Sequence, residues 1–559
     1  MAINRFGLQC HRSFTTWRYQ AFNIVAIEVV IIGIDSVQYY PMQRRDDYFT
    51  LELAGDFHLK KYYLLITQPL YVAVCCDPWA LGVDFLTYQD PKTQQELHHL
   101  GIIIDFSRTL QIPNSFRYQG QSAQSLIYEA SVRDISSSLD LPTKRTFQGV
   151  TNPIFLNHLK KVGYSHLQLL PINAFANDKW DVDDYNWGYN PLYYLAPHPK
   201  YAKNGFEAIN DLKAMIATLH QHKIGLVVDL VFNHVFDYQH HPLNIMYPNY
   251  FFRQDDAGKL TNYSGCGNDL DSSKQLAYDL FEQTLELLIN EYHVDGFRFD
   301  LMGLLDLSCM EKLFLFSKNL KPSIIFYGEG WDMVSKKNNV LFCTINNASL
   351  TRIGFFNDYF RSSALQVLGS FEQSTILNLL NGSLDHFNQN SINYLACHDG
   401  STLFDKMMMH FDHHFTLNEK LYLLYSLMLF SKGAALIQLG DDFKRTKRGH
   451  LNTYNEGDWI NQVDYHQIKN NQELITMLAS LAKLRQKIAF NQGTYQLIAD
   501  LHYLFQGQKT YHLFINKQVN QIITFIKPLK MIFNGRIIVS QVQTSFVLAQ
   551  IGFYLFQED

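Results

Sequence analysis

The 559-residue sequence is poor in cysteine, with seven residues scattered at positions 10, 75, 76, 266, 309, 343 and 397. The number is odd, no Cys-x-x-Cys occurs and one pair is adjacent, which argues for reduced thiols and against a disulfide framework or a zinc site. Excess basic charge is also lacking. The formal net charge is −5, so no basic face for nucleic acid is expected. Long hydrophobic runs are missing too. The stretch "FNIVAIEVVIIGI" at 22–34 is too short to span a bilayer and is interrupted by Glu28, so a buried strand pair is expected there and no membrane partner. The N-terminus "MAINRFGLQCHRSF" lacks the apolar core of a secretory signal, which points to a cytoplasmic protein. No Gly-x-Gly-x-x-Gly or phosphate-loop motif follows a strand, and His-Glu-x-x-His and Gly-x-Ser-x-Gly are absent. Nucleotide, metalloprotease and serine-hydrolase chemistry therefore have no footing. "GCGND" at 265–269 is glycine-rich but has no lysine and reads as a turn.

What is present begins with aromatic residues, 14% of the chain. Short β-type runs and turn signals fill residues 14–85 ("YFTLEL", "KYYLLIT") and predict a small β-sandwich. From about residue 125 apolar strand-length runs alternate with amphipathic stretches. In "FEAINDLKAMIATLHQHK", Phe206, Ile209, Leu212, Met215, Ile216 and Leu219 recur at helical spacing. "IGLVVDLVF" follows and is apolar on both faces, as a strand covered by helices on both sides must be. Eight strand candidates occur, at "SLIYEASV", "HLQLLPI", "IGLVVDLVF", "GFRFD", "SIIFYGE", "RIGFFND", "INYLACHD" and "AALIQLG". They predict an α/β fold: a (β/α)8 barrel over 111–487, after an N-terminal β-sandwich (1–110) and before a C-terminal β-domain (488–559).

Charge collects at the ends of these strands. Asn233 and His234, Asp300, Glu329, and His398 with Asp399 each close one, while Asp229 and Arg298 lie within two. A single acid after a strand is ordinarily a helix cap, and Asp229 with Arg298 could be a structural ion pair. Four strand ends carrying such residues together predict a site on the barrel rim. Paired carboxylates beside arginine and histidine suit glycoside hydrolysis. The turn-rich stretch "DVDDYNWGYNPLYYLAP" (181–197) would supply rings for sugar to stack on.

"VVDLVFNH", "GFRFD", "YGEGWD" and "ACHD" resemble the four short regions of the α-amylase superfamily, glycoside hydrolase family 13. "YNWGYNP" looks like the signature of type I pullulanases, which hydrolyse α-1,6 branches. "IYEASVRD", "FFNDYFR", "RTKRGHLNTYNEGDWIN" and "TTWRYQAFN" extend the resemblance over nearly the whole chain. It implies Asp300 as nucleophile, Glu329 as general acid/base and Asp399 as the third catalytic carboxylate. It implies sugar-binding or supporting roles for Tyr189, Asp229, His234, Arg298 and His398. Trp180 and Trp187 are candidates to line the branch-accepting sites, and Trp331 is a further substrate-binding candidate that is equally compatible with packing under the rim. It also implies a carboxyl separation for Asp300 and Glu329 of roughly 5–5.5 Å, as a retaining route requires.

An α-glucan is the expected partner, with no obligate protein partner. No cofactor or metal is expected to be required; calcium is compatible but unsupported by the residues. An α-1,4-acting amylase or neopullulanase, and a glucan-binding protein with an impaired site, remain alternatives. Three places depart from the resemblance: Gly400 where asparagine is usual, the segment "GDDF" (440–443) where Gln-Glu is typical, and Asn190 in place of a common aspartate. The second strand of the sandwich and the N-terminus look shortened, which leaves open whether a preceding module is absent.

Overall fold

Eight parallel strands close into a barrel in the computed structural model, which describes residues 6–113, 116, 122–176, 185–334, 340–383, 390–409 and 415–558. In barrel order they are Leu126–Ala130, His166–Leu169, Gly225–Leu230, Gly296–Phe299, Ile325–Gly328, Gly354–Asn357, Ile392–Tyr394 and Ala434–Gln438. Each is one of the eight runs expected from the sequence. All are buried along their whole length, because side chains of one parity fill the barrel and those of the other meet the helices.

The helices start and stop where local chemistry directs. Pro153–Val162 begins with Asn152 accepting from the Phe155 N–H and proline at its first turn, and ends at Gly163 in the left-handed region. Gly205–Gln221 is capped by Asn204, and Ile209, Leu212, Met215, Ile216 and Leu219 are buried along one stripe. A Cβ on Gly205 would lie 2.1 Å from the Val83 carbonyl oxygen, so only glycine lets this helix seat against the sandwich. Leu417–Phe430 is buried from Lys420 onward, as befits a helix covered by the barrel on one side and the C-terminal sheet on the other.

Two larger antiparallel sheets and a two-stranded one (Tyr88–Gln89 with Glu96–Leu97) precede the barrel. Of the two larger sheets, one orders Gly7–Cys10, Phe14–Gln20, Tyr48–Ala54 and Gln43–Arg45; the other has six strands around Ala26–Ile32 and Lys61–Thr67. Trp17, Tyr19 and Phe49 from the first share one apolar core with Val29, Ile31, Tyr62 and Leu64 from the second. Trp17 is thus core, and the Tyr39 hydroxyl is bonded to Asp90. Tyr40 is half-buried at the sheet edge and packs against the core. The run 22–34 forms one strand, Ala26–Ile32, instead of the expected pair. Its turn sits earlier, at Asn23 (φ 53°), and its partner is the following segment Val37–Pro41. After the helix Gln472–Ile488 the chain forms a six-stranded antiparallel sheet from Thr494 to Gln557. Phe533 and Phe553 of that sheet pack on Phe430.

Asp77 ties the sandwich together. Its buried carboxylate accepts from the Tyr19 and Tyr62 hydroxyls, both at 2.7 Å, and from the Trp79 N–H at 2.9 Å. The two tyrosines come from different sheets. Asp77→Ala leaves two buried hydroxyls unpaired and is expected to cost about 2–4 kcal/mol. Urea unfolding followed by intrinsic fluorescence measures this, and an unchanged midpoint would show that the two sheets do not rely on Asp77.

Candidate active site

Strand alternation sends Phe297 and Phe299 outward to the helices and Arg298 into the barrel, where it is fully buried. In the parallel register Arg298 lies directly across from Asp229 on the third strand. Its Nη1 donates to Asp229 Oδ1 and Oδ2, at 2.8 and 2.9 Å, and to Asp300 Oδ1 at 3.1 Å. Its Nη2 donates to Glu329 Oε1. One guanidinium thus serves three carboxylates, and Asp300 and Glu329 sit on its adjacent nitrogens.

The turn after the fourth strand sets the nucleophile candidate. Asn233 Nδ2 donates to Asp300 Oδ2 and to its backbone oxygen, both at 2.8 Å. Leu301 follows at φ 38°, a left-handed conformation that costs a branched residue energy and that the surrounding bonds enforce. Its N–H then points at Glu329 Oε2, 3.2 Å away, and the Gly303 N–H donates to the Glu329 carbonyl at 2.8 Å. A Cβ on Gly303 would lie 2.0 Å from the Trp331 carbonyl oxygen. The loops carrying the two carboxylates are therefore wedged together.

Burial pushes the Glu329 carboxyl up to about 8; Arg298 opposes the rise, and the charges of Asp300 and Asp399 add to it. Burial likewise raises Asp229, to about 6, against the pull of Arg298. His234 is lowered by burial, and its ring nitrogens face the Asn233 side-chain oxygen at 2.6 Å and the Tyr189 carbonyl at 3.0 Å. Asp399 is half exposed and lies 3.4 Å from His398 Nε2. The Tyr189 ring stacks on His398 at 5.2 Å, and its hydroxyl donates to Asp229 at 2.7 Å.

The aromatic stretch behaves differently from expectation. Tyr185, Trp187, Tyr193 and Tyr194 are all buried, and Tyr189 alone of these rings is partly open. Polar anchors hold them inward: Tyr185 donates to Asp134 at 2.7 Å, Trp187 Nε1 to the Tyr185 hydroxyl at 3.1 Å, and Tyr194 to the His234 carbonyl at 3.3 Å. Trp187 stands edge-on behind His398 instead of open in the cleft. Trp331 is half-buried at the rim with Nε1 on Asp358 at 2.6 Å. Trp180 lies outside the described residues.

Two groups that sequence reasoning passed over complete the arrangement. Glu129 on the first strand accepts from His398, and Lys447 Nζ donates to the His398 carbonyl at 2.9 Å. The signal for Glu129 was available, since it is an acid inside an apolar strand just as Asp229 is. Lys447 carried none beyond its place in the "RTKRGHLNTYNEGDWIN" segment. For a metal, Cys397, His398 and Asp399 are the described residues whose ligand atoms cluster within 4.8 Å. The Cys397 thiol is raised well above its ordinary value by burial, and His398 is held at about 9, mainly by Asp399 and Glu129 against the effect of burial. A metal bound there would have to displace the proton of both the thiol and the imidazole.

No protein-family model matches the chain. Over 358 residues, 59% of its length, it is 34% identical to the pullulanase of Bacillus subtilis strain 168, covering 50% of that protein. Over 439 residues it is 26% identical to the glycogen operon protein GlgX homolog of Haemophilus influenzae, 66% of this chain and 64% of the relative. The fold matches the crystal structure of pullulanase from Anoxybacillus sp. LM18-11 complexed with maltotetraose, with a TM-score of 0.88 at 25% identity, over 100% of this chain and 88% of that one. The chain is thus similar in sequence and in fold to these pullulanases.

It spans about half the length of the Bacillus subtilis pullulanase. The three departures noted in the sequence now have surroundings. Gly400 sits at φ 98° with no atom within 4 Å of a built Cβ, so the missing side chain leaves open space. Asp442 is a buried acceptor for Tyr128, His158 and Tyr164. Asp441 accepts from the Leu403 N–H at 3.1 Å. Both acids belong to the packing beneath the eighth strand. Asn190 is half-buried, and its carbonyl accepts from the Ala176 N–H.

Within this site Arg298 is the side chain whose loss should cost most. Arg298→Met leaves a cluster of buried acids without their cation and is expected to destabilise the fold by about 3–5 kcal/mol at neutral pH. Arg298→Lys, with one nitrogen for several partners, should recover part of it. Thermal unfolding at pH 7 and pH 5 checks both. The methionine variant should gain relative to the parent at pH 5, where the orphaned carboxyls take up protons.

Proposed function

We propose that the protein is a retaining glycoside hydrolase that cleaves α-1,6-glucosidic branch linkages in a cytoplasmic α-glucan such as glycogen, amylopectin, pullulan or limit dextrins. The observation that carries it is the division of labour between two carboxyls on one guanidinium. Asp300 accepts from Arg298 Nη1 and from Asn233 Nδ2, which hold its carboxyl in place beside the cation. Glu329 is raised to about 8 and remains protonated at neutral pH. One nucleophile and one acid are the pair that a double displacement needs.

The Glu329 carboxyl donates its proton to the glycosidic oxygen as the C1–O6 bond breaks. Asp300 attacks C1 from the opposite face and forms a covalent glycosyl ester. Water then enters, gives its proton to Glu329 and its oxygen to C1, and Asp300 leaves as carboxylate, so the anomeric configuration is retained. Asp399, open at the rim, binds hydroxyls of the same sugar. Tyr189 offers its face beneath the ring, and His234, His398 and Trp331 line the rim around it. Arg298 and Asp229 hold the nucleophile and Tyr189 in position. These steps draw only on side chains of the chain, without a cofactor. The preference for the branch linkage rests on the "YNWGYNP" segment and on the kinship with pullulanases. The maltotetraose in the Anoxybacillus enzyme supports an α-glucan as partner.

Digestion of pullulan should yield maltotriose as the sole end product by ion-exchange chromatography. Panose or mixed maltodextrins would assign the chain to α-1,4 cleavage, and binding without product would make it a glucan-binding protein. Asp300→Asn should lower kcat by at least about 10⁴-fold while leaving maltotriose binding in place. The raised Glu329 carboxyl is competent below its pKa, so kcat/KM should fall as pH rises through about 8. A rate that keeps climbing beyond pH 9 would remove Glu329 from the acid role.

A further inference from the structure

His398 is held from more directions than a sugar-contacting side chain at a loop end needs. Glu129 on the first barrel strand takes it in a two-point grip: Oε2 accepts from the His398 backbone N–H at 2.7 Å, and Oε1 faces the ring Nδ1 at 3.0 Å. Glu129 is itself fixed. Its Oε1 accepts from Gln168 Nε2 at 3.0 Å, and Gln168 accepts from the Tyr327 hydroxyl. Lys447 Nζ clamps the carbonyl of the same histidine. Tyr189 stacks on one face of the imidazole, and the edge contact with Trp187 lies at 5.1 Å. With Nδ1 given to Glu129, Nε2 is left pointing toward Asp399 and the cleft.

We propose that Glu129 is the positioning residue for His398: its carboxylate fixes the ring and keeps it a cation whose Nε2–H donates to a glucan hydroxyl at the cleavage site. The role rests on the hydrolase reading above, which it deepens. Two carboxylates flank the imidazole, and their surroundings differ. Asp399 is half exposed at 3.4 Å, where water weakens its influence, whereas Glu129 is almost completely buried at 3.0 Å. The other groups facing His398 are Arg298 and Lys447, which oppose its positive charge, Glu329, which is largely protonated, and the neutral Cys397, Gln168, Tyr189 and Trp187. Among them Glu129 is the buried anion that contacts the ring directly. A carboxylate there also dictates the proton on Nδ1, because it can only accept.

The test uses Glu129→Gln, which keeps the shape and removes the charge. A glutamine has one acceptor oxygen where the grip needs two. On pullulan at pH 7, kcat/KM should fall about 10–100-fold. In a double-mutant cycle with His398→Asn, the Glu129→Gln change should cost almost nothing once the histidine is gone. An equal cost in both backgrounds would make Glu129 a structural residue and overturn the proposal. Maltotriose binding to Asp300→Asn, by calorimetry from pH 5.5 to 7.5, gives a readout free of turnover. Affinity should be flat with pH in that background and should fall about tenfold toward pH 7.5 once Glu129→Gln is added, as the imidazole loses its proton. Flat, equal affinity in both would overturn the role of Glu129 alone. An absence of maltotriose binding in Asp300→Asn would overturn the glucan site itself, and with it the role given to His398.

Discussion

A single buried guanidinium is the constraint on which this molecule turns. Arg298 sits inside the barrel with Asp229, Asp300 and Glu329 around it. Each of those acids would be too costly to bury ionised without a cation, and one cation cannot neutralise all three. The surplus negative charge has to be relieved by protonation, and of the two acids at the strand ends the more buried, Glu329, is the one raised to about 8. The unequal protonation that acid–nucleophile chemistry exploits follows from a charge deficit in the barrel.

Around that centre the site is assembled from side chains that hold one another. Asn233 serves Asp300, the strained Leu301 turns an N–H toward Glu329, and Gly303 lets the Trp331 loop close over it. Glu129 and Lys447 do the same for His398 from the first strand and from the loop after the eighth. Contacts to the groups lining the cleft thus come from opposite sides of the closed sheet. A barrel makes that economical, because every strand end reaches the same rim.

The aromatic stretch shows how residue type and residue role separate. Five rings in a turn-rich segment suggested a wall for sugar, yet four are turned inward by hydrogen bonds to Asp134, the His234 carbonyl and other buried partners. Tyr185 and Trp187 pack beside Tyr189, whereas Tyr193 meets His99 and Tyr194 packs on Phe232 and Phe281. Period and composition identify rings near a site, but a buried hydrogen-bond acceptor elsewhere in the chain decides which ring stays open. The run 22–34 is a similar case, where an asparagine able to take positive φ moved the turn ahead of the strand.

The sequence by itself determined the eight barrel strands, the helix stripes between them and the acids at the strand ends, because each depends on local periodicity or on a charge where an apolar residue would be routine. It also made Asp300, Glu329, Asp399, Arg298 and both histidines candidates. Only the tertiary structure decided that Arg298 is shared among three carboxylates, that Glu129 grips His398 across 269 positions of sequence, and that Trp187 stands behind the histidine instead of in the cleft. Those outcomes depend on distances between strands that are remote along the chain and on which groups lose their water together, and neither quantity is written in local order.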